Sequence, residues 1–302
     1  MTFNPNANIG SGNVGRAGGG GGFGGGGLPL GPLMMLGGGG GGTIVLIILF
    51  LLFSGMFSGG GGGGQEQQSA QGGALEHCQT GKDANEKDDC YVQAVVETAD
   101  AFWQQEAKSA GFTWKEPQGR VFSGSVSTGC GAASSDTGPF YCPADSTIYV
   151  DVSFFDELSS RFGANQGQLA KAYVVAHEYG HHIQNLDGTM NRINRRDTGP
   201  KSDQVALELQ ADCYAGVWAR NAVETKDPDG NRYMEPLTEQ DVKDALSAAS
   251  AVGDDHIQGE VAGGRVQPDT WTHGSSEKRQ QWFITGYNEG SYGACDTFSN
   301  RG

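Results

Sequence analysis

The chain has 302 residues, 51 of them glycine, and a formal charge of −15. That acidity argues against a nucleic-acid partner, which selects for Lys/Arg patches, and against tight contact with anionic lipid headgroups. More than half of the glycines stand before residue 74, in runs without Gly-X-Y period, so residues 1–42 read as a disordered segment and residues 74–302 as one well-cored domain.

Residues 43–57, TIVLIILFLLFSGMF, are uncharged and strongly apolar. At about 1.5 Å per residue the run is short for a ~30 Å hydrocarbon core, but uncharged flanks extend it. It begins too far from residue 1 for a signal peptide, and it lacks the polar face of a core helix. The expectation is one transmembrane helix over 43–58 and a Gly/Gln-rich linker over 59–73. Arg16 upstream and acidic residues downstream predict a single-pass cell-membrane protein, N-terminus cytoplasmic and domain extracytoplasmic. All six cysteines follow the apolar run, as disulfides in a non-cytosolic domain would. Cys78–Cys90 and Cys130–Cys142 would each close a short turn-rich loop, leaving Cys213–Cys295; buried free thiols are the alternative.

Helical spacing of apolar residues predicts a helix over 91–110, stopped by Gly111. Residues 120–127 and 147–153 read as strands joined by a Gly/Ser/Pro-rich connection. A short helix over 154–162, a longer one over 168–186, then helices over 202–222, 238–252 and 276–287 follow, with a turn at 227–230. The fold class is α+β, mostly helical with a small sheet.

The chemistry centres on His177-Glu178-Tyr179-Gly180-His181. Four residues apart on a helix, the two rings share one face, about 6 Å apart along the axis, which suits two nitrogen ligands of a zinc ion. Glu178 projects beside them, placed to take a proton from a water that the metal activates. A catalytic zinc takes a third protein ligand and keeps its fourth position open. Two carboxylates compete. Asp187 sits where the pattern His-Glu-x-x-His-x-x-Gly-x-x-His has its third ligand, but Gln184 replaces the turning glycine. Glu208 lies on the next helix, in an apolar setting, with Asp212 one turn on and able to hold the outer nitrogen of a zinc histidine. His182, about 100° from His181, reads as packing, and Cys213 faces away from Glu208. His273, just before a helix start, is a candidate donor to an oxyanion or a structural cap. Arg279 reads first as a surface salt bridge, with pairing to an acidic residue behind the metal ligands as the alternative, and His77 and His256 have no supporting context.

These residues resemble the neutral zinc metallopeptidases, bacterial proteins with an N-terminal membrane segment and one extracytoplasmic domain. The resemblance rests on Thr128–Gly131, Gly138–Asp145, His177–His182, Glu208–Trp218, Gly253–Asp255 and Thr272–Ser276, and it covers nearly all of Tyr91–Phe298. The Glu-x-x-x-Asp and Thr-His-Gly-Ser-Ser stretches are also similar to those of membrane-bound CaaX-type and heat-shock-type peptidases. That implies a gluzincin-like zinc peptidase domain with Glu208 as third ligand, and it makes Cys130, Cys142, Cys213 and Cys295 part of the family pattern. The expected function is a zinc-dependent endopeptidase at the cell envelope, acting on protein or peptide substrates. In it His177, His181 and Glu208 hold Zn2+, Glu178 is the base and His273 steadies the oxyanion. The rival is a zinc-containing envelope binding or scaffold module without proteolytic activity, which a closed four-ligand site would favour.

Overall fold

The computed structural model describes residues 1–10, 12–17 and 73–301. Two long helices run through the middle of the core. α4 (Gln168–Leu186) and α5 (Asp203–Ala222) are buried around almost their whole circumference, so their apolar residues do not keep to one stripe. Ser202 caps α5, its hydroxyl accepting from the Val205 N–H at 3.1 Å, and Gly188, at φ 79°, ends the turn after α4. The two cross at Gly180. A Cβ there would lie 3.0 Å from the Ala211 Cα and carbonyl oxygen, so only glycine allows this approach, and the approach brings His177 and His181 opposite Glu208 and Asp212.

Against this pair pack α2 (Asp88–Ala110), α6 (Glu239–Ala251) and α8 (Ser276–Glu289), while α1 (Gly81–Glu86) packs on α2 and α3 (Phe154–Ser160) adds Phe155 and Leu158 to the same core. Between α6 and α8, α7 (Asp254–His256) runs on into a π-turn, Ile257–Val261. One sheet has the order β1 (Val14–Arg16), β2 (Gln118–Phe122), β6 (Thr147–Asp151), β5 (Phe140–Cys142). β1/β2 and β2/β6 are parallel, with Val121 opposite Val150; β5/β6 is antiparallel, with Tyr141 opposite Ile148. β3 (Ser125–Thr128) and β4 (Gly131–Ser134) form a separate hairpin.

The strand expected over 120–127 is therefore two strands in two sheets. Gly124, at φ 81°, breaks it, and the halves part. Short β5 and β4 were not anticipated, because three or four residues carry too little alternation to be seen. The helices over 168–186, 203–222 and 239–251 match their expected spans within a residue, and Gly111 ends α2 in the left-handed conformation. Disulfides join Cys78–Cys90, Cys130–Cys142 and Cys213–Cys295.

Two expectations about the N-terminus are corrected. Residues 1–10 and 12–17 are not structureless. Phe3, Ile9 and Val14 are buried in the main core, Phe3 bridges Met234, and β1 joins the sheet. Averaging over the polyglycine hid these three apolar anchors. The expected transmembrane helix, 43–58, lies outside the described residues, as does the linker over 59–72. Among the described residues no helix is long and apolar enough to cross a membrane. Residues 1–10 and 12–17 also share one core with 73–301, whereas a single crossing would put the N-terminus and the domain on opposite faces. The single-pass, cell-membrane placement with a cytoplasmic N-terminus is overturned on both grounds.

Candidate metal centre

One turn apart on α4, the His177 and His181 rings stand with centroids 4.8 Å apart and planes at 84°. Across from them Glu208, on α5, places Oε2 3.1 Å from His177 Nε2 and Oε1 3.5 Å from His181 Nε2. All three side chains are buried, and one ligand atom from each lies within 4.8 Å of the others. The outer ring nitrogens are both held. His177 Nδ1 donates to Asp212 Oδ1 at 2.8 Å, and His181 Nδ1 donates to Gln184 Oε1 at 2.8 Å. Each Nε2 therefore turns toward the centre with its tautomer set by a neighbour.

Asp212 is wholly buried and takes further bonds from the Tyr173 hydroxyl and from Arg279, whose Nε and Nη2 reach its two oxygens at 2.8 and 2.9 Å. Arg279 is thus not the surface ion pair expected. It lies 3% exposed inside the core, because α8 packs against α5 and turns this side chain inward. Gln184 supports His181 and is itself fixed, its Nε2 donating to Leu207 O at 2.7 Å and Gln210 Oε1 at 3.1 Å. In sequence Gln184 counted only as a missing glycine. Its signal was its spacing, three residues after His181, where helix neighbours meet; Tyr173, four before His177, carried the same one.

Burial alone would push the His177 imidazole down, but Asp212 and Glu208 outweigh it and bring the group up to about 10. Burial likewise disfavours the charged form of His181, and Glu208 reverses it, so that pKa also rises. For Glu208 burial would raise the pKa, yet the two imidazoles hold it well below the usual carboxylate range. Two nitrogens and one oxygen, converging with their rings oriented from behind, fit a zinc ion.

Beside them Glu178 is buried, and burial raises its carboxyl pKa, with the two imidazoles acting the other way. The Tyr141 backbone N–H of β5 also acts to lower it. His182, wholly buried, donates from Nε2 to the Lys115 carbonyl at 2.7 Å and accepts from the Tyr141 hydroxyl at 3.0 Å, tying β5 to α4. A cavity of about 110 Å³ opens onto His177, Glu178, His181 and Glu208, with Phe140, Tyr141 and His273 in its wall.

His273 reaches this cavity from the loop before α8. Asp254 accepts the backbone N–H groups of Thr272, His273 and Gly274 at 2.9, 2.7 and 2.9 Å, and it meets His273 Nδ1 at 3.2 Å. Burial would raise the Asp254 pKa, but His273 and these N–H groups lower it. Asp255 accepts from Ser276 N–H at 2.7 Å, so the Gly253–Asp255 and Thr272–Ser276 stretches lock to each other. No local pattern pointed to Asp254, since its partners are about twenty residues away.

Asp187 lies apart. It ends α4, accepting from the Thr189 N–H at 2.7 Å and the Tyr292 hydroxyl at 2.9 Å. His256 Nε2 donates to the Phe162 carbonyl at 2.9 Å, and His77 pairs with Asp89 at 3.0 Å. His77 and Asp89 also gather with Cys78 and Cys90, whose sulfurs are joined in a disulfide.

A family model described as "Putative neutral zinc metallopeptidase" matches residues 5–298. The uncharacterized protein Rv2575 of Mycobacterium tuberculosis strain H37Rv is 51% identical over 231 residues, 76% of this chain and 77% of that one. The uncharacterized protein YpfJ of Escherichia coli K12 is 38% identical over 213 residues, 69% of this chain and 70% of that one. No solved structure matches.

Proposed function

This chain belongs to the neutral zinc metallopeptidase family, and we propose that it is a zinc-dependent endopeptidase whose ligands are His177, His181 and Glu208. The observation that carries the proposal is the convergence of those three side chains on a point that Glu178 flanks and a cavity reaches. Three protein ligands beside open space suit a catalytic ion, whereas a structural site would be closed by four.

Bound there, zinc supplies Lewis acidity, which polarises a carbonyl and makes water a nucleophile at neutral pH. Glu178 is the general base. Its carboxylate takes the proton of the attacking water and passes it to the departing amine. In its doubly protonated form His273 donates from Nδ1 to Asp254 and from Nε2 to the oxyanion that develops on the carbonyl. Asp212 and Gln184 hold the ligand rings. A peptide fits the setting, because β5 is the last strand of its sheet and lines the cavity, where an extended chain can lie along it.

The test is Glu178→Gln, purified and zinc-loaded, on a denatured protein substrate. Zinc content and fold should match the unaltered protein while cleavage falls about 10²–10⁴-fold. Undiminished cleavage would refute the mechanism.

A further inference from the structure

A second cluster of ligand-type side chains stands outside the cavity wall. His77, Cys78, Asp89 and Cys90 each bring one donor atom to within 4.8 Å of the others. Two short segments supply all four. One is the turn Leu75–Cys78, closed by the Cys78 N–H on the Leu75 carbonyl at 2.9 Å. The other is the first turn of α2, where Asp89 and Cys90 are the second and third residues. His77 Nε2 lies 3.0 Å from Asp89 Oδ2, beside the Cys78–Cys90 disulfide. Among the described residues, neither of the other cysteine pairs gathers such a set. We infer that this cluster is a second metal site, formed when the Cys78–Cys90 bond is reduced, and that it takes zinc on two thiolates, the His77 imidazole and the Asp89 carboxylate.

Four protein donors make the closed set of a structural zinc, unlike the three at His177, His181 and Glu208. Thiolate and imidazole select zinc over calcium or magnesium, which take oxygen donors. Reduction needs two electrons, and a dithiol supplies them. Its first thiolate attacks one sulfur and expels the other, its second closes to a disulfide of its own, and Cys78 and Cys90 are left as thiols. Zinc then displaces their two protons. The N-terminus of a 23-residue helix favours the Cys90 thiolate, both as the group expelled and as a ligand. Both sulfurs are buried, and access is from the side of His77, whose side chain is 41% exposed. Arg16, the other partner of Asp89, is exposed and is able to swing into water as the metal enters.

Disulfide and metal use the same sulfurs, so the site holds one or the other, and either one ties residue 78 to residue 90. That tie carries the start of the chain. The Ile9 N–H donates to the Gln79 carbonyl at 3.0 Å, and Gln93 Nε2 donates to the carbonyls of Ile9 and Cys78. Zinc would keep these residues docked in a reducing setting, where the disulfide is lost.

The experiment reduces the whole folded chain with dithiothreitol, removes the reductant without air, and adds zinc or cobalt(II). Reduced protein should hold one more zinc per chain than untreated protein. With cobalt it should show thiolate-to-cobalt charge-transfer absorption, which the sulfur-free set of His177, His181 and Glu208 does not give, so the result is independent of the peptidase reading. Cys78→Ser with Cys90→Ser should abolish both signals, and Cys130→Ser with Cys142→Ser should keep them. His77→Ala, a change at an exposed side chain, should weaken cobalt binding at least about tenfold. The inference is overturned by a disulfide that dithiothreitol leaves intact in the folded chain, or by reduced protein that takes no extra metal. It is equally overturned by absorption that survives the loss of Cys78 and Cys90, or by cobalt affinity that His77→Ala does not change.

Discussion

Removing either partner of the Asp212–Arg279 pair should destabilise the fold far more than an ion pair normally does. Both groups are buried, Asp212 fully and Arg279 to 3% exposure, and two bonds of 2.8 and 2.9 Å join them. Burial would push the Asp212 carboxyl up, but the guanidinium and His177 hold it below its usual range, so both members stay charged. Asp212→Leu strands a guanidinium left with the Val252 carbonyl at 2.9 Å and a 3.4 Å approach to His177 Nδ1, a loss of about 3–5 kcal/mol. Arg279→Met leaves Asp212 with Tyr173 and His177, so the cost falls near the lower end, about 3 kcal/mol. The double variant strands neither charge. It still leaves the Tyr173 hydroxyl and His177 Nδ1 without a carboxylate, at roughly 1–3 kcal/mol each. Asp212→Leu carries the same two losses besides the stranded guanidinium, so the double variant should cost less than the sum of the two single ones, with a coupling energy of about 3 kcal/mol. Urea unfolding followed by circular dichroism on the metal-free proteins measures all four corners of the cycle. Both variants lacking Asp212 should also bind zinc about 10–100-fold more weakly, since nothing then orients His177. Additivity within about 0.5 kcal/mol, or a cost below about 1 kcal/mol for Arg279→Met, would refute the reasoning.

Zinc content after dialysis against graded chelator should rank the carboxylates and their helpers. Glu208→Ala should lose its metal under the mildest chelation, Gln184→Ala should bind about 10–100-fold more weakly, and Asp187→Ala should match the unaltered protein; a metal-free Asp187→Ala would reverse the ligand assignment. Burial lowers the His182 pKa to about 4, against roughly 6.5 unfolded, so His182 is neutral in both states above pH 6.5 and its contribution is then complete. Below that the unfolded chain takes up a proton that the fold refuses, and up to about 3 kcal/mol is lost as pH falls from roughly 6.5 to 4. Metal-free His182→Gln should lack that part of the slope, and parallel stability–pH curves would disprove it. At the crossing of α5 and α8, a Cβ on Gly286 would sit 2.0 Å from the Cys213 carbonyl oxygen, and one on Gly216 2.0 Å from that of Phe283. Gly286→Ala should cost about 1–3 kcal/mol or more by forcing the helices apart, and an unchanged urea midpoint would contradict this contact.

How far the site was legible depends on how far apart its parts lie in the chain. His177, Glu178 and His181 needed only the helical repeat, because four residues of one helix set their relation before any packing occurs. Helix ends at Gly111 and Gly188 were legible for the same local reason, and so were the loops that Cys78–Cys90 and Cys130–Cys142 close. Glu208 came into view through its apolar neighbours, but its competition with Asp187 was not open to decision from spacing. What separates the two in space is the close crossing at Gly180, which sets Glu208 against both rings, while the end of α4 carries Asp187 away to Tyr292.

The strands were read less well, and the N-terminus worst. β5 and β1 are three residues each, and their pairing with β6 and β2 is stabilised by partners that local pattern does not reveal. Composition measured residues 1–42 as a whole, so the buried Phe3, Ala7, Ile9 and Val14 vanished among glycines. The sequence by itself determined the helix that carries His177, Glu178 and His181, the helical framework and the cysteine loops, all of which depend on neighbours a few residues away. Only the tertiary structure decided that Arg279 is buried on Asp212, that Gln184 holds His181 and Asp254 holds His273, and that the first residues join the core. Each of these is a contact between distant segments, and burial turns it from a weak surface interaction into one that orients the site.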